Sequence, residues 1–485
     1  MDLYFVRPRL VDHLPAGMGP GPVAVRQLLE HRAIPDGTPV FLDEQMRPVD
    51  PISSWFRRLA VERRDPETLR CYAYITRRLC AFLAERGSDL LSVTEADLLA
   101  YRAARTELQD VPVDNETWRR EASVLNSLFT WLVEEGHLRR RPFRMHNQSN
   151  PLNLGIKHEM KIRHLALDQY LYFRDVGMGG QLPDGGVDVT FRGWAPHRHR
   201  AAVELALLTG MRKQEWSTLL LPELTEGIRR PGDPVEVMLQ ACAKYKKRRV
   251  VYVPPAALEM VETYLLMERS EVAAKAAKTL ARWHKDLFVV TDVDTAHGKL
   301  SGVLEGRRRT FAIAAMPPRL RRLAVRESDG GLEPLAVFIG HGGRMLGPSS
   351  WDRVREDAWR RMAERSRAST APVLPNRPWR FHDLRHTFCL QLLKYLMRLV
   401  ADREAASPST GLPTLGEHIA FNPLLVVQRR MGHSSPATTY LYLRYLEDPM
   451  NYVDAAFAQW TEHDGATYAE IARGALAEEG HSSAS

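Results

Sequence analysis

Residues Arg380 to Phe388 read Arg-Phe-His-Asp-Leu-Arg-His-Thr-Phe, and two chemistries compete for them. As H-x-x-x-H, His382 and His386 stand one helical turn apart, the spacing a zinc hydrolase uses. As H-x-x-R, His382 and Arg385 share one helix face and offer an imidazole and a guanidinium to a phosphate. A zinc protease needs Glu after its first His as general base, and a third ligand elsewhere. Position 383 is Asp, one methylene shorter, and the cation Arg385 inside the motif opposes a metal. An isolated H-x-x-R usually has a structural meaning, so the rest of the chain has to decide.

At 485 residues the chain has room for two or three domains with separate cores. Its 44% hydrophobic and 26% charged residues are ordinary for a globular protein. The 67 Lys and Arg against 59 Asp and Glu leave a net charge of +8, a lean toward anionic partners such as nucleic acid. Cys71, Cys80, Cys242 and Cys389 are scattered, with no C-x-x-C pair, which argues against a zinc cluster or a disulfide framework and fits a reducing cytosol. The opening MDLYFVRPRLVDHLPAG lacks the apolar core of a signal peptide, and no run approaches the roughly 20 apolar residues of a membrane span. A soluble cytoplasmic protein with no membrane partner is expected.

Residues 1–50, rich in Pro and Gly, read as an irregular N-terminal extension with one short helix. Residues 51–145 read as helical. Leu69, Tyr72, Ile75, Leu79, Phe82 and Leu83 recur at helical spacing up to Gly87, and Trp118, Ala122, Leu125, Phe129 and Leu132 do so up to Gly136. Arg70, Arg77, Arg78, Arg119 and Arg120 fall largely off those stripes. Singly they are solvated surface; together they suit a module lying on a phosphate backbone. The basic, polar run from Arg139 breaks the periodicity, and 146–160 reads as a linker. From 161 to 460 helices mix with strands. VEVMLQA and RRVVYVPP read as two short strands around Lys244-Tyr245-Lys246-Lys247-Arg248, a basic hairpin tip. Segments near 291–334 and 401–418 read as loop-like insertions, and 461–485 as a C-terminal tail.

Three further stretches carry chemistry. In LLTGMRKQEWSTLL, Gly210 fits a helix stop, and Arg212 and Glu215 follow at i, i+3. Such a Glu either holds the Arg in a fixed pose for an anion or is half of a surface pair worth a few tenths of a kcal/mol. In AKYKKRRVVYVP, Lys244, Lys247 and Arg249 are either a solvated charge run or include a lysine that reaches a site as proton donor. In QRRMGHSSPATTYLYLRYL, Ser435 is a good N-cap and Pro436 a good first helical residue. Tyr440 and Tyr442 on that helix face nearly opposite ways, so one can join a core while the other faces a site.

Each signal is weak alone, but their order and spacing are not. T-G-x-R-x-x-E, then K-x-x-K-x-R before a strand, then H-x-x-R, then Gly-His with Tyr nine positions on, resembles the tyrosine recombinase, or phage integrase, family. The resemblance covers about residues 60 to 445. It implies a mainly α fold with a small β-sheet: an N-terminal helical, SAM-like core-binding domain at 51–145 and a mixed α+β catalytic domain at 161–460. The family pattern lands on Arg212, Lys244, His382, Arg385, His433 and the nucleophile Tyr442. Glu215 and His386 then stand behind that set, and Lys247 and Arg249 join the arginines above as DNA-contact candidates. The spans from Lys244 to His382 and from Arg385 to His433 are longer than the family's usual ones.

The resemblance implies cleavage and rejoining of DNA through a 3′-phosphotyrosyl intermediate, with no metal or other cofactor. A phenol with pKa near 10 is a poor nucleophile at neutral pH. Arg212 and Arg385 would grip the non-bridging oxygens through paired N–H donors. Lys244 would protonate the departing 5′-oxygen, His382 would assist Tyr442 as acid–base partner, and His433 would hydrogen-bond the phosphate. The implied partners are double-stranded DNA at a specific site with inverted repeats, further copies of the chain (a tetramer on DNA) and accessory DNA-binding proteins, at the nucleoid, in a task such as mobile-element integration. The helical-looking tail after Tyr445 would dock on a neighbouring protomer. Two rival readings stand beside it: a type IB topoisomerase, which shares the nucleophile chemistry but relaxes supercoils as a monomer, and a catalytically silent DNA-binding regulator on the same fold. The full set of six residues and the separate N-terminal module favour the recombinase.

Overall fold

The computed structural model describes residues 1–7, 22–32, 34–62, 64–110, 112–143, 152, 162–224, 233–367, 371–406, 422–433 and 435–445. The chain is mainly helical with small sheets, as the resemblance implied, and divides into two compact units, residues 1–160 and 161–485. The expected linker, the 407–418 part of the second insertion and the tail beyond Tyr445 lie outside the described residues, except for Leu152. No helix among those described is long and apolar enough to cross a membrane.

In the first unit, strand β1 (Asp2–Phe5) pairs antiparallel with β2 (Pro39–Leu42), and helix α1 (Pro22–His31) lies between them in sequence. Four helices follow: α2 (Ile52–Val61), α3 (Pro66–Glu85), α4 (Glu95–Ala103) and α5 (Asn115–Glu134). Asp65 caps α3 and Asp114 caps α5, each accepting a backbone N–H of the first turn. Gly87 and Gly136, with φ of +68° and +77°, follow their ends. The predicted stripes are the core: Leu69, Ile75, Leu79 and Leu83 pack with Trp118, Ala122, Leu125, Phe129 and Leu132. Among the described residues the N-terminal extension holds, besides its one expected short helix, a strand pair that the reading as irregular did not include. Phe41 of β2 is fully buried and stacks on Phe56 of α2 at 5.5 Å, which seats the strand pair on the helical core. Four-residue strands flanked by Pro and Gly are too short to show a period.

The second unit opens with α6 (Leu167–Tyr172), α7 (Pro196–Thr209) and α8 (Lys213–Ser217). The strands β3 (Val235–Leu239) and β4 (Arg249–Val253) form the expected antiparallel hairpin, followed by α9 (Pro255–Tyr264) and α10 (Ser270–Arg282). Next come β5 (Phe288–Asp294), β6 (Lys299–Leu304), β7 (Arg307–Ala312), α11 (Pro318–Arg321), β8 (Ala324–Ser328) and β9 (Gly331–Pro334). The described part closes with α12 (Pro348–Arg365), α13 (Phe381–Ala406), α14 (Pro423–Met431) and α15 (Pro436–Tyr440), which runs into a 3-10 turn at Leu441–Tyr445.

The reading of 291–334 as loop-like is therefore corrected. Strands β5 to β9 form a five-stranded sheet in the order β7-β6-β5-β8-β9, with β5 and β8 parallel and the other pairs antiparallel. One buried side is a small apolar set including Phe288, Val290, Leu300 and Ala324. The other face of β5, β8 and β9 packs Val289, Val325 and Leu332 on Ala276 and Leu280 of α10, while β7 is largely exposed. The strands are short and broken by Gly298, Gly306 and Gly330, so the segment has the composition of a loop. The second insertion is helical in its first residues, because α13 continues to Ala406.

The main core places the site. Helix α7 is buried through Ala201, Ala202, Val203, Leu205 and Ala206. Trp216 of α8 packs edge-on against Trp351 of α12 at 4.8 Å and against Phe381 at 5.3 Å. That contact fixes the start of α8, where Arg212 sits, against the first turn of α13, where His382 sits.

Candidate active site

Gly210 ends α7 with φ +62°, its N–H reaching the Ala206 carbonyl at 3.1 Å. A Cβ there would lie 2.3 Å from the Phe388 ring, so glycine lets α13 close on this turn. Two residues on, Arg212 is the N-cap of α8. Its backbone N–H and its guanidinium donate to the two oxygens of Glu215, at 2.8 and 3.1 Å. Glu215 is not half of a surface pair: its carboxylate is fully buried and also accepts from the Arg249 guanidinium. Burial pushes this carboxyl up, but the charge of Arg249, the Arg212 N–H and the Arg212 guanidinium outweigh it and hold the group below its usual range.

Arg249 is itself nearly buried and donates to the Arg430 and Met431 carbonyls at 3.1 and 3.2 Å. It is thus an internal strut between β4 and α14 rather than an exposed strand cation. Gly432, with φ +62°, makes room for it, since a Cβ there would stand 2.7 Å from Arg249 Cδ. Arg385, also buried, donates to the Gly210 and Met431 carbonyls. Burial first, and then the charges of Arg212 and Arg249, lower its pKa. A guanidinium starts high enough to stay charged at neutral pH.

His382 begins α13 with one face exposed, and its ring meets that of His386 edge-on at 4.6 Å. Desolvation and then Arg385, Arg212, Lys244 and Arg380 lower its pKa to about 4. His433 is buried behind Gly432 and bonds Thr439 through Nδ1 at 2.9 Å, its pKa lowered to about 3 by burial and then Arg385, Arg212 and Arg249. Ser435 caps α15 by accepting from the Ala437 N–H. Of the two tyrosines, Tyr440 is 53% exposed and Tyr442 only 1%. The Tyr442 ring stacks on His433 at 5.9 Å, and its hydroxyl bonds Nδ1 of His386 at 2.7 Å. Burial and the neighbouring Cys389 thiol raise its pKa, while Arg385 and Arg212 pull the other way.

Lys244 lies at the hairpin tip, where Tyr245 and Lys246 take positive φ values of 61° and 52°, and its Nζ sits 5.1 Å over the Tyr245 ring. A cleft of about 280 Å³ opens between this tip and α14. Arg212, Lys244, Lys247, Arg248, Arg249, Arg429 and His433 line it, with no carboxylate among its lining residues. The chain thus brings Arg212, Lys244 and His433 to one basic cleft. His382, Arg385 and Tyr442 pack around the same buried cluster. Sequence reasoning missed Arg248 and Arg429 in the cleft wall; both stand in the basic runs KYKKRR and QRR, and those runs were the available signal. Among the described residues no cluster suits a metal. His386 bonds the Tyr442 hydroxyl through Nδ1, so it is more than a residue buried only for packing.

The DNA-contact candidates of the first unit have varied surroundings. Arg78 reaches buried Glu121 at 2.9 Å, which also holds Arg105 and the Tyr101 hydroxyl. Arg70 lies over the Phe5 and Tyr74 rings, at 5.5 and 5.8 Å, and Arg119 is 3.8 Å from Glu116. Arg77 and Arg120 are exposed.

Residues 52–136 match the family model of the phage integrase N-terminal SAM-like domain. The resemblance first read from motifs between Arg212 and Tyr442 is thereby met again in a separate part of the chain. No curated protein matches the sequence. Solved structures similar to the chain include the XerH site-specific recombinase bound to palindromic difH substrate, a post-cleavage complex. It is 13% identical, with 93% of this chain and 92% of that one covered and a TM-score of 0.47. The Tn1549 transposon integrase in complex with circular intermediate DNA is 14% identical over 84% and 94%, at 0.38. A lambda integrase dimer bound to a COC′ core site is 14% identical over 81% and 93%, at 0.40.

Proposed function

We propose that this chain is a tyrosine recombinase that cuts and rejoins double-stranded DNA at a specific site through Tyr442. One observation carries the reading: residues spread from Arg212 to Tyr442, in four separate stretches of sequence, gather at one basic cleft and the buried cluster beside it.

In the proposed reaction the Tyr442 oxygen attacks the backbone phosphorus, and its proton passes to the histidine pair, His386 holding it at rest and His382 next to it. The P–O5′ bond breaks, Lys244 gives a proton to the departing 5′-oxygen, and a 3′-phosphotyrosyl bond remains. The free 5′-hydroxyl of a second duplex reverses the step and exchanges strands. The guanidiniums of Arg212 and Arg385 and the imidazole of His433 stabilise the charge gathering on the non-bridging oxygens; losing one such preorganised donor typically costs about 3 kcal/mol, or a factor of 100 or more in rate. The histidines enter as neutral groups, so a bound phosphate would draw their pKa values upward as it neutralises the surrounding cations. Exchange between two duplexes needs four protomers, and the tail after Tyr445 is the proposed link between neighbours.

The test is covalent capture. Nicked duplexes built on the DNA flanking the gene, where inverted repeats are expected, should yield a denaturant-resistant adduct with the wild-type chain. Tyr440→Phe should retain that adduct and Tyr442→Phe should lose it while still binding DNA. Adduct formation by Tyr442→Phe would overturn the assignment. Relaxed plasmid without any recombinant product would move the reading to a topoisomerase.

A further inference from the structure

The five-stranded sheet carries a charge pattern that the cleft does not use. Strand β7 is an edge strand that pairs only with β6 among the described residues. It begins Arg307-Arg308-Arg309-Thr310, and all four residues are exposed. The three arginines make no ion pair with another described residue. Phe311 packs on buried Phe288 at 5.3 Å, so Arg307 and Arg309 extend from the side of the strand that reaches the core. Arg308 and Thr310 lie on the other side, where the Thr310 hydroxyl meets that of Ser301 at 2.9 Å. Three consecutive positive charges with no acidic partner among the described residues concentrate positive potential at the outer end of this edge, which a polyanion would offset.

The strand is anchored to the cleft. Directly after β7, the Ala314 carbonyl accepts the Ala241 backbone N–H at 2.8 Å, three residues before Lys244. Buried Arg321 ties the same turn to α8 by donating to the Met316 and Thr218 carbonyls at 3.1 and 3.2 Å. From that anchor β7 carries Arg309, Arg308 and Arg307 progressively farther out. At about 3.4 Å per residue its length is about 17 Å, or about five base pairs of duplex.

We infer that β7 is a second DNA-contacting surface, gripping the phosphates of the duplex that flanks the cleavage point. The inference rests on the proposal that the cleft takes DNA. It is distinct from a purely protective role, in which charge on an edge strand only prevents pairing with another chain.

The experiment uses the full chain and two fluorescent mixed-sequence duplexes of 12 and 40 base pairs, with binding followed by anisotropy across a KCl series. Replacing Arg307, Arg308 and Arg309 together by Ala should weaken the 40-base-pair complex about 10- to 100-fold at 0.15 M salt. It should also lower the slope of log K against log salt by about 2 to 3, since each phosphate contact contributes about 0.9. The 12-base-pair complex, which offers fewer phosphates beyond the cleft, should weaken less than the 40-base-pair one, and replacing the three by Lys should keep the wild-type slope. Unchanged affinity and slope on the long duplex would overturn the inference. So would self-association of the Ala variant with DNA binding intact, which would mark an edge guard. Loss of binding to polyglutamate alone would point to an acidic protein instead. Should the wild-type chain bind neither duplex, the reading of the cleft falls first and this inference with it.

Discussion

The Nδ1 atom of His386 lies 2.7 Å from the hydroxyl oxygen of Tyr442, and both side chains are buried. Burial, followed by the charges of His382 and Arg385, lowers the His386 pKa to about 3, so the imidazole is neutral at pH 7 and, in the tautomer protonated at Nε2, its Nδ1 accepts the phenolic proton. The proposed nucleophile is therefore held protonated, away from solvent, by a residue next to one of the two guanidiniums it would work with.

Removing that acceptor should change reactivity more than DNA binding. His386→Phe leaves the Tyr442 hydroxyl with only the weak Cys389 thiol beside it, a loss of about 1 kcal/mol for a buried polar group. Adduct formation on nicked duplexes should change at least 10-fold while duplex affinity stays within twofold. His386→Asn, which restores an acceptor, should recover part of the wild-type rate. Equal adduct rates for all three chains would remove His386 from the reaction.

Three imidazoles with lowered pKa values, two of them buried, make stability pH-dependent with a definite sign. His382, His386 and His433 have folded pKa values of about 4, 3 and 3, against an ordinary 6.5. Below pH 6.5 the unfolded chain binds protons that the folded chain refuses, so stability should be full above that pH and fall as pH drops toward 3. Each such group contributes at most about 1.4 kcal/mol per pH unit, and partly exposed His382 less. Urea unfolding between pH 7 and 4 measures the slope, and His433→Gln should flatten it.

Glu215→Gln should cost about 2–4 kcal/mol, because a neutral amide can accept from one guanidinium but leaves the charge of the other uncompensated in a buried place. Both Arg212 and Arg249 lose their shared counter-charge. The midpoint of urea unfolding reads the stability, and covalent capture should slow more than 10-fold as Arg212 loses its pose.

Gly210→Ala and Gly87→Ala form a matched comparison. Both positions have positive φ, which costs an L-residue about 1–2 kcal/mol. A Cβ at Gly87 meets nothing within 4 Å, whereas one at Gly210 runs into the Phe388 ring. Gly210→Ala should therefore destabilise distinctly more, and it should lower DNA affinity because Arg385 is tied to the Gly210 carbonyl. Equal unfolding midpoints for the two variants would remove the close approach of α13 from the account.

The parts of this fold that were legible in the sequence are those with a long period or a local pair. The stripe from Leu69 to Leu83 and that from Trp118 to Leu132 needed only 3.6-residue spacing, and Arg212 with Glu215 needed one helical turn. The sheet from Phe288 to Pro334 was hidden because its strands are short, are separated by Gly-containing turns and include the charged edge Arg307–Arg309. Arg249 looked like one more cation in a basic run; its partners Glu215 and Met431 lie far along the chain, so nothing local marks it as internal. The same holds for His386 and Tyr442, 56 positions apart. The alternation argument put Tyr440 and Tyr442 on opposite faces, but only packing decides which face is buried.

The two carbonyls that Arg385 ties together belong to the end of α7 and the end of α14, so this side chain is a fastener for the scaffold as well as a source of charge. An inactive version of the protein made by altering it would also relax the frame around the cleft, and its DNA affinity would then report two defects at once. For trapping an assembled complex before strand breakage, deleting a single oxygen at Tyr442 is the cleaner choice.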